Sequence, residues 1–224
     1  MNASTKTIAV LGGTGNEGGG LALRWAHFGH KVIIGSRTAE RAKEAADKFA
    51  AIAGKPIEGL ANKEAAAKAD IVVIAVPYSA QVPTATDLVA ELKGKILIDV
   101  TVPLVPPKVA RVQLPEGGSC VDALQKKLGP DVKVVSAFQN VSAHQLMELG
   151  HSVDCDVLVC GDDEAARETV VQLAKDAGMI AWQAGPLANS AAAEALTSVL
   201  ISINKRYKVE EGAGIRITGI GGKP

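Results

Sequence analysis

The stretch TIAVLGGTGNEGGGLALRWA, residues 7–26, decides the fold. TIAVLG reads as a buried strand and the residues after the glycines as a helix. Between them stands Gly13-x-Gly15-x-x-Gly18. Such a pattern is weak alone and meaningful at a strand-to-helix turn. Gly13 allows the tight turn, Gly15 lets a pyrophosphate approach the backbone, and Gly18 lets helix and strand pack closely. The helix start then offers free N–H groups and partial positive charge to phosphates. Thr14, Asn16 and Glu17 complete the loop, which holds no Lys or Arg. Backbone N–H groups must therefore bind the pyrophosphate, and Glu17 is expected to point outward, away from it. Gly12 ends the strand, while Gly19 and Gly20 have no assigned task at this level.

Working outward, strands alternate with helices to the end of the chain. KVIIG (31–35) is a strand, SRTAERAKEAADKFAAIAG (36–54) an amphipathic helix, and a short link carries Ile57 and Leu60. Residues 62–69 form a short helix, DIVVIAVP (70–77) a strand, 79–92 a helical crossover and KILIDVTVP (95–103) a strand. Prolines make 104–120 irregular. VKVVSAF (132–138), VDCDVLVCG (153–161), MIAWQAG (179–185) and GIRITGI (214–220) are further strands with helices between them. This alternation predicts an α/β, Rossmann-like, doubly wound and mostly parallel sheet. The expected units are a dinucleotide-binding domain over 1–140 and a smaller C-terminal α/β part over 141–224.

Composition agrees with that class. Hydrophobic residues make up 47% but aromatics only 3%, so the core is aliphatic, as parallel sheets covered by helices require. Basic and acidic residues balance at 24 each, which argues against nucleic acid or an anionic membrane as partner. No apolar run reaches the ~18–20 residues of a membrane span. The polar start MNAST lacks a secretory pattern, and Cys120, Cys155 and Cys160 form no CxxC pair. They read as reduced thiols of a cytoplasmic protein.

The end of the second strand speaks to cofactor choice. An NAD site usually places an acid roughly 20 residues past the loop, on the ribose 2′-hydroxyl. Here Ser36 and Arg37 stand there, with Arg41 one helical turn on. A hydroxyl and two guanidiniums suit a 2′-phosphate, hence NADP(H). Ligands of open α/β sheets sit beyond the strands' carboxyl ends. Val76, Pro77 and Tyr78, then Thr101 and Val102, then Ala137, Phe138, Gln139 and Asn140 are therefore expected towards the nicotinamide.

GGTGNEGGGLALRWA…GHKVIIGSR, AVP, VVSAF, DVLVCGDD and AGPLANS, in this order, resemble the coenzyme F420-dependent NADP oxidoreductases from about residue 7 to 217. The resemblance implies reversible hydride transfer between NADP(H) and a deazaflavin such as coenzyme F420, in a homodimer with the acceptor cleft between two parts. It places Thr14, Gly15, Asn16 and Glu17 at the nucleotide, Ser36, Arg37 and Arg41 at the 2′-phosphate, and Val76, Val102 and Ala143 nearer the nicotinamide. Phe138, Gln139, Asn140 and Val141 become the candidate substrate pocket, with Gln139 in place of a family histidine.

Direct hydride transfer needs no catalytic dyad, and none is assigned. His27 and His30 suit a helix end, His151 precedes a strand, and His144 opens the helix after the pocket strand. Asp162, Asp163 and Glu164 read as helix caps rather than a metal cluster, and Glu194 likewise. No metal site is assigned. Two other functions remain open: an NADPH-dependent flavin or ferric reductase, and a non-catalytic NADP(H) sensor.

Overall fold

In the computed structural model, which describes residues 5–220, eight strands form one sheet in the order β3-β2-β1-β4-β5-β6-β7-β8. The strands are β1 (Thr7–Leu11), β2 (Lys31–Ser36), β3 (Ile57–Ala61), β4 (Ile71–Ile74), β5 (Ile96–Asp99), β6 (Lys133–Ser136), β7 (Val157–Gly161) and β8 (Ala181–Gln183). β1 to β6 are all parallel, while β7 runs antiparallel to β6 and parallel to β8. The outer residues of the two expected units, 1–4 and 221–224, lie outside the described residues.

Among the described residues nine α-helices and one short 3-10 helix (Leu187–Asn189) connect and follow the strands: α1 (Asn16–Phe28), α2 (Ala39–Ala53), α3 (Asn62–Lys68), α4 (Tyr78–Thr86), α5 (Val89–Leu92), α6 (Cys120–Leu128), α7 (Ala143–Met147), α8 (Glu164–Asp176) and α9 (Ser190–Tyr207). Period-2 alternation splits the sheet into two buried faces. Ile8, Val10, Val73 and Ile98 pack towards Trp25 and Phe49, and Ala9, Leu11, Val72 and Leu97 towards Leu92 and Leu124.

Two expectations are corrected. The link carrying Ile57 and Leu60 is the edge strand β3, paired along β2 from Val32 to Ser36. Gly59 hides it in the sequence: a Cβ there would lie 2.4 Å from the Lys43 backbone nitrogen, so glycine admits α2 against the strand. GIRITGI, by contrast, forms no strand. It lies beside the residue that enters β7, where Asp156 donates its N–H to Ile215 O at 2.8 Å and accepts from Ile217 N at 2.8 Å.

Gly19 and Gly20 also acquire a reason. A Cβ on Gly19 would lie 2.3 Å from the Phe49 ring of α2, and one on Gly20 would lie 2.5 Å from Leu146 Cβ of α7. They are the points where two helices close on α1. One turn on, buried Arg24 donates all five of its N–H groups to backbone carbonyls. Nε reaches Leu146 O at 3.0 Å, one terminal nitrogen His151 O at 3.2 Å and Ala177 O at 3.0 Å, and the other Gln145 O at 2.9 Å and Glu148 O at 2.5 Å. These carbonyls lie around the carboxyl ends of α7 and α8, where a cation is favoured. The charge would suffer from burial, but bonds on every donor offset that cost.

Arg24→Leu would leave five carbonyls without their donor. We expect a stability loss of at least about 3 kcal/mol by urea unfolding, with Arg24→Lys recovering only part because three donors replace five.

Candidate functional site

The strand order reverses direction at β1 and β4, and the loops beyond their carboxyl ends open into two adjoining cavities. Both are lined by Gly15, Val76 and Pro77. The smaller, about 390 Å³, adds Thr14, Ser36, Arg37, Arg41 and Asn62. The larger, about 840 Å³, adds Asn16, Glu17, Gly18, Tyr78, Val102, Gln139 and Val141.

The loop between them is shaped by contact. Gly12, at φ +80°, lies against the Ala75 carbonyl, where a Cβ would come within 2.3 Å. Gly18 packs on the Ala75 side chain. Gly13 sits beneath the loop and lines neither cavity; its N–H donates to Val10 O at 3.2 Å. A Cβ on Gly15 would meet nothing tighter than Gly12 O at 3.6 Å, so that face of the loop is open to a ligand. Gly15 is also the N-cap of α1 and makes no side-chain bond to the first turn. Among the described residues, Arg37 and Arg41 make no ion pair, and Asn62 Oδ1 is buried without a partner.

Glu17 contradicts the sequence reading. It does not point outward; it lines the larger cavity. Gly18 and Gly19 commit the neighbouring helix positions to Ala75 and Phe49, which leaves Glu17 on the cleft side. Burial, with the charge of Asp99 added, pushes its carboxyl up from 4.5 to about 8. Asp99 itself ends β5 fully buried. It accepts from Gln81 Nε2 at 2.6 Å and from Thr101 N at 2.8 Å. Burial raises it to about 6 against those two hydrogen bonds.

The residues after β6 separate. Gln139 faces the cleft, its Nε2 donating to Asp99 O at 2.8 Å while its Oε1 lacks a partner. Val141 also lines the cleft. Phe138 does not: at φ +74° the chain turns its ring into the core, edge-on to Trp25 at 5.8 Å. Asn140 turns away too, donating to Ala193 O at 2.8 Å and Thr197 Oγ1 at 3.1 Å. Ala137 is buried under the sheet end, and Ala143 starts α7 outside both cavities. His144 also stays outside them and faces Glu148 at 3.6 Å. His30 is a buried partner of Asp176 at 2.9 Å.

Asp163 caps α8 as expected, accepting from Ala166 N at 2.8 Å. Glu194 caps a helix as well, but not its own. From α9 it accepts Cys120 N at 2.8 Å, Val121 N at 3.3 Å and Ser119 Oγ at 2.6 Å, closing the start of α6. Sequence reasoning also missed Asp99, Gln81 and Thr197. An acid inside the apolar run ILIDV was a usable signal for Asp99, because a buried carboxylate is costly unless bonded. Nothing local marks Thr197. Among the described residues no three His, Cys, Asp or Glu side chains converge as a metal cluster.

Residues 7–103 match the family model described as NADP oxidoreductase, coenzyme F420-dependent. The F420-dependent NADP reductase of Methanocaldococcus jannaschii is 45% identical over 95% of this chain and 98% of its own length. That of Methanothermobacter thermautotrophicus is 43% identical over 95% of each. A solved structure from Arthrobacter sp. FB24, provisionally described as an F420-dependent NADP reductase, superposes with a TM-score of 0.76 at 28% identity, covering 92% of this chain and 96% of that one.

Glu17 and Asp99 hold their protons more tightly folded than unfolded. The folded chain therefore binds more protons from pH 4.5 to about 8 for Glu17, and from 3.8 to about 6 for Asp99, so stability falls as pH rises through those windows. Thermal unfolding of the ligand-free protein should show its midpoint dropping across that range. Glu17→Gln should flatten the upper part and Asp99→Asn the lower.

Proposed function

This chain belongs to the coenzyme F420-dependent NADP oxidoreductase family, and we propose that it transfers hydride between NADP(H) and coenzyme F420. The pair of cavities meeting at one glycine loop carries this reading. One carries the Ser36 hydroxyl and the Arg37 and Arg41 guanidiniums, the other is mostly apolar, as the two ends of NADP(H) require. When bound, NADP(H) supplies or takes the hydride and the deazaflavin is its counterpart.

The residues fit that cofactor. Ser36, Arg37 and Arg41 would hold the 2′-phosphate with charge-assisted bonds. The open faces of Gly15 and the first turn of α1 would hold the pyrophosphate through backbone N–H groups. Gln139 and Thr101 stand in the wall of the larger cavity, with Gln139 Oε1 and Thr101 Oγ1 buried and without a partner. Val76, Val100, Val102 and Val141 supply apolar walls that exclude water and orient a flat ring.

Residues 1–140 would then bind the nucleotide while 141–224 complete the acceptor cleft, since Val141 and Thr197 line it. A homodimer and a cytoplasmic location complete the reading. The face of α9 exposing Val199, Ile203 and Tyr207 supports the first, and three free, buried cysteines the second. Among the described residues no helix is long and apolar enough to cross a membrane.

NADPH-driven loss of F420 absorbance tests the function directly. Turnover of FMN or Fe(III) with no F420 reduction would replace it with the flavin or ferric reductase reading. Arg37→Ala should weaken NADPH binding by roughly 10- to 100-fold and leave NADH binding unchanged, measured by fluorescence titration.

A further inference from the structure

Glu17 is the one carboxyl in the wall of the larger cavity, and no Lys, Arg or His lines that cavity among the described residues. The Ser36, Arg37 and Arg41 group lies in the smaller cavity, so the 2′-phosphate end of a dinucleotide belongs there and the nicotinamide end in the larger cavity, whose wall includes Glu17. The nicotinamide is the part whose charge changes in the reaction: neutral in NADPH, cationic in NADP+.

Resting on the reading of NADP(H) as cofactor, we infer that Glu17 discriminates the two redox states by charge, keeping its proton beside NADPH and releasing it to solvent beside NADP+. The step is a simple acid–base exchange. The Glu17 O–H bond breaks, its proton goes to water or buffer, and the carboxylate left behind faces the cationic ring. No electron moves in it. A deazaflavin takes up one proton beyond its hydride, so the proton released here matches the one consumed there.

The surroundings suit a carboxyl that changes charge. Asp99 of β5 and Glu194 of α9 bring negative charge towards the cleft floor, and Tyr78 of α4 and Cys120 of α6 are both pushed up by burial and so stay neutral. With no basic residue in the wall, the carboxylate of Glu17 has no cation until the ligand provides one. Desolvation in the cleft wall, with the charge of Asp99 added, raises the Glu17 carboxyl above the ordinary carboxylate range and so favours its neutral form in the free protein.

The test is binding alone, read by calorimetry in buffers of different ionisation enthalpy. Both nucleotides carry the same 2′-phosphate and pyrophosphate, so the ratio of their affinities isolates the ring. The affinity for NADP+ relative to NADPH should rise by up to about tenfold per pH unit from pH 6 to about 8, with close to one proton released on binding NADP+. In Glu17→Gln the ratio should be flat and the release absent. A flat ratio in the unaltered protein, or a slope that survives Glu17→Gln but disappears in Asp99→Asn, overturns the inference while leaving the proposed function standing. Loss of F420 reduction with the slope intact overturns the choice of acceptor and not this inference. Failure of both nucleotides to bind overturns both.

Discussion

The molecule turns on one guanidinium. Arg24 sits on the first helix after the phosphate loop and spends every donor it has on carbonyls from residues 145–151 and 177. Five bonds in fixed directions hold the carboxyl ends of two later helices in register with α1. Gly20, one turn earlier, admits Leu146 of the same segment. The helix that presents the loop to the nucleotide is thereby the helix that fixes the chain after β6, from which Gln139 and Val141 reach the cleft. A shift of α7 against α1 would move both ends of the site together.

A second set of constraints works from the carboxyl-terminal side. Glu194 brings a buried carboxylate to the first N–H groups of α6 and to Ser119, whose hydroxyl also meets Ser190 at 2.6 Å. Thr197, one turn along α9, donates to Gln139 O at 2.8 Å. The cleft wall is thus tied at both edges, by Arg24 on one side of the sheet and by α9 on the other. Tied edges suit hydride transfer, which depends on holding two rings at a short fixed separation more than on acid–base residues.

What was legible in the sequence was local. The glycine loop, the strand before it, the helix after it and the pair Ser36-Arg37 are each set by neighbours a few residues away, and they stand where their pattern places them. What was not legible depends on distant contacts. Gly19 and Gly20 looked idle because Phe49 and Leu146 are far along the chain. On charge alone Glu17 reads as outward, although its direction follows from the packing of the glycines beside it. Phe138 stands at a strand end, a position that faces the cleft in a regular chain, but its positive φ and Trp25 draw it into the core. Asp99 carried a readable signal, an acid in an apolar strand, whereas its partner Gln81 did not.

The cap on α6 bears on how the chain reaches this form during synthesis. Cys120 and its carboxylate partner are 74 residues apart. Arg24 lies 121 to 153 residues from the carbonyls it binds. At about 5–20 residues per second, a ribosome delivers the nucleotide loop and its strands many seconds before either tether exists. The first six strands can align in order as they emerge, yet the floor of the cleft closes only after α9 has left the exit tunnel. Cofactor binding is therefore expected to be acquired late, once α9 has emerged, and nucleotide present in the cell would act on a late folding step rather than the first.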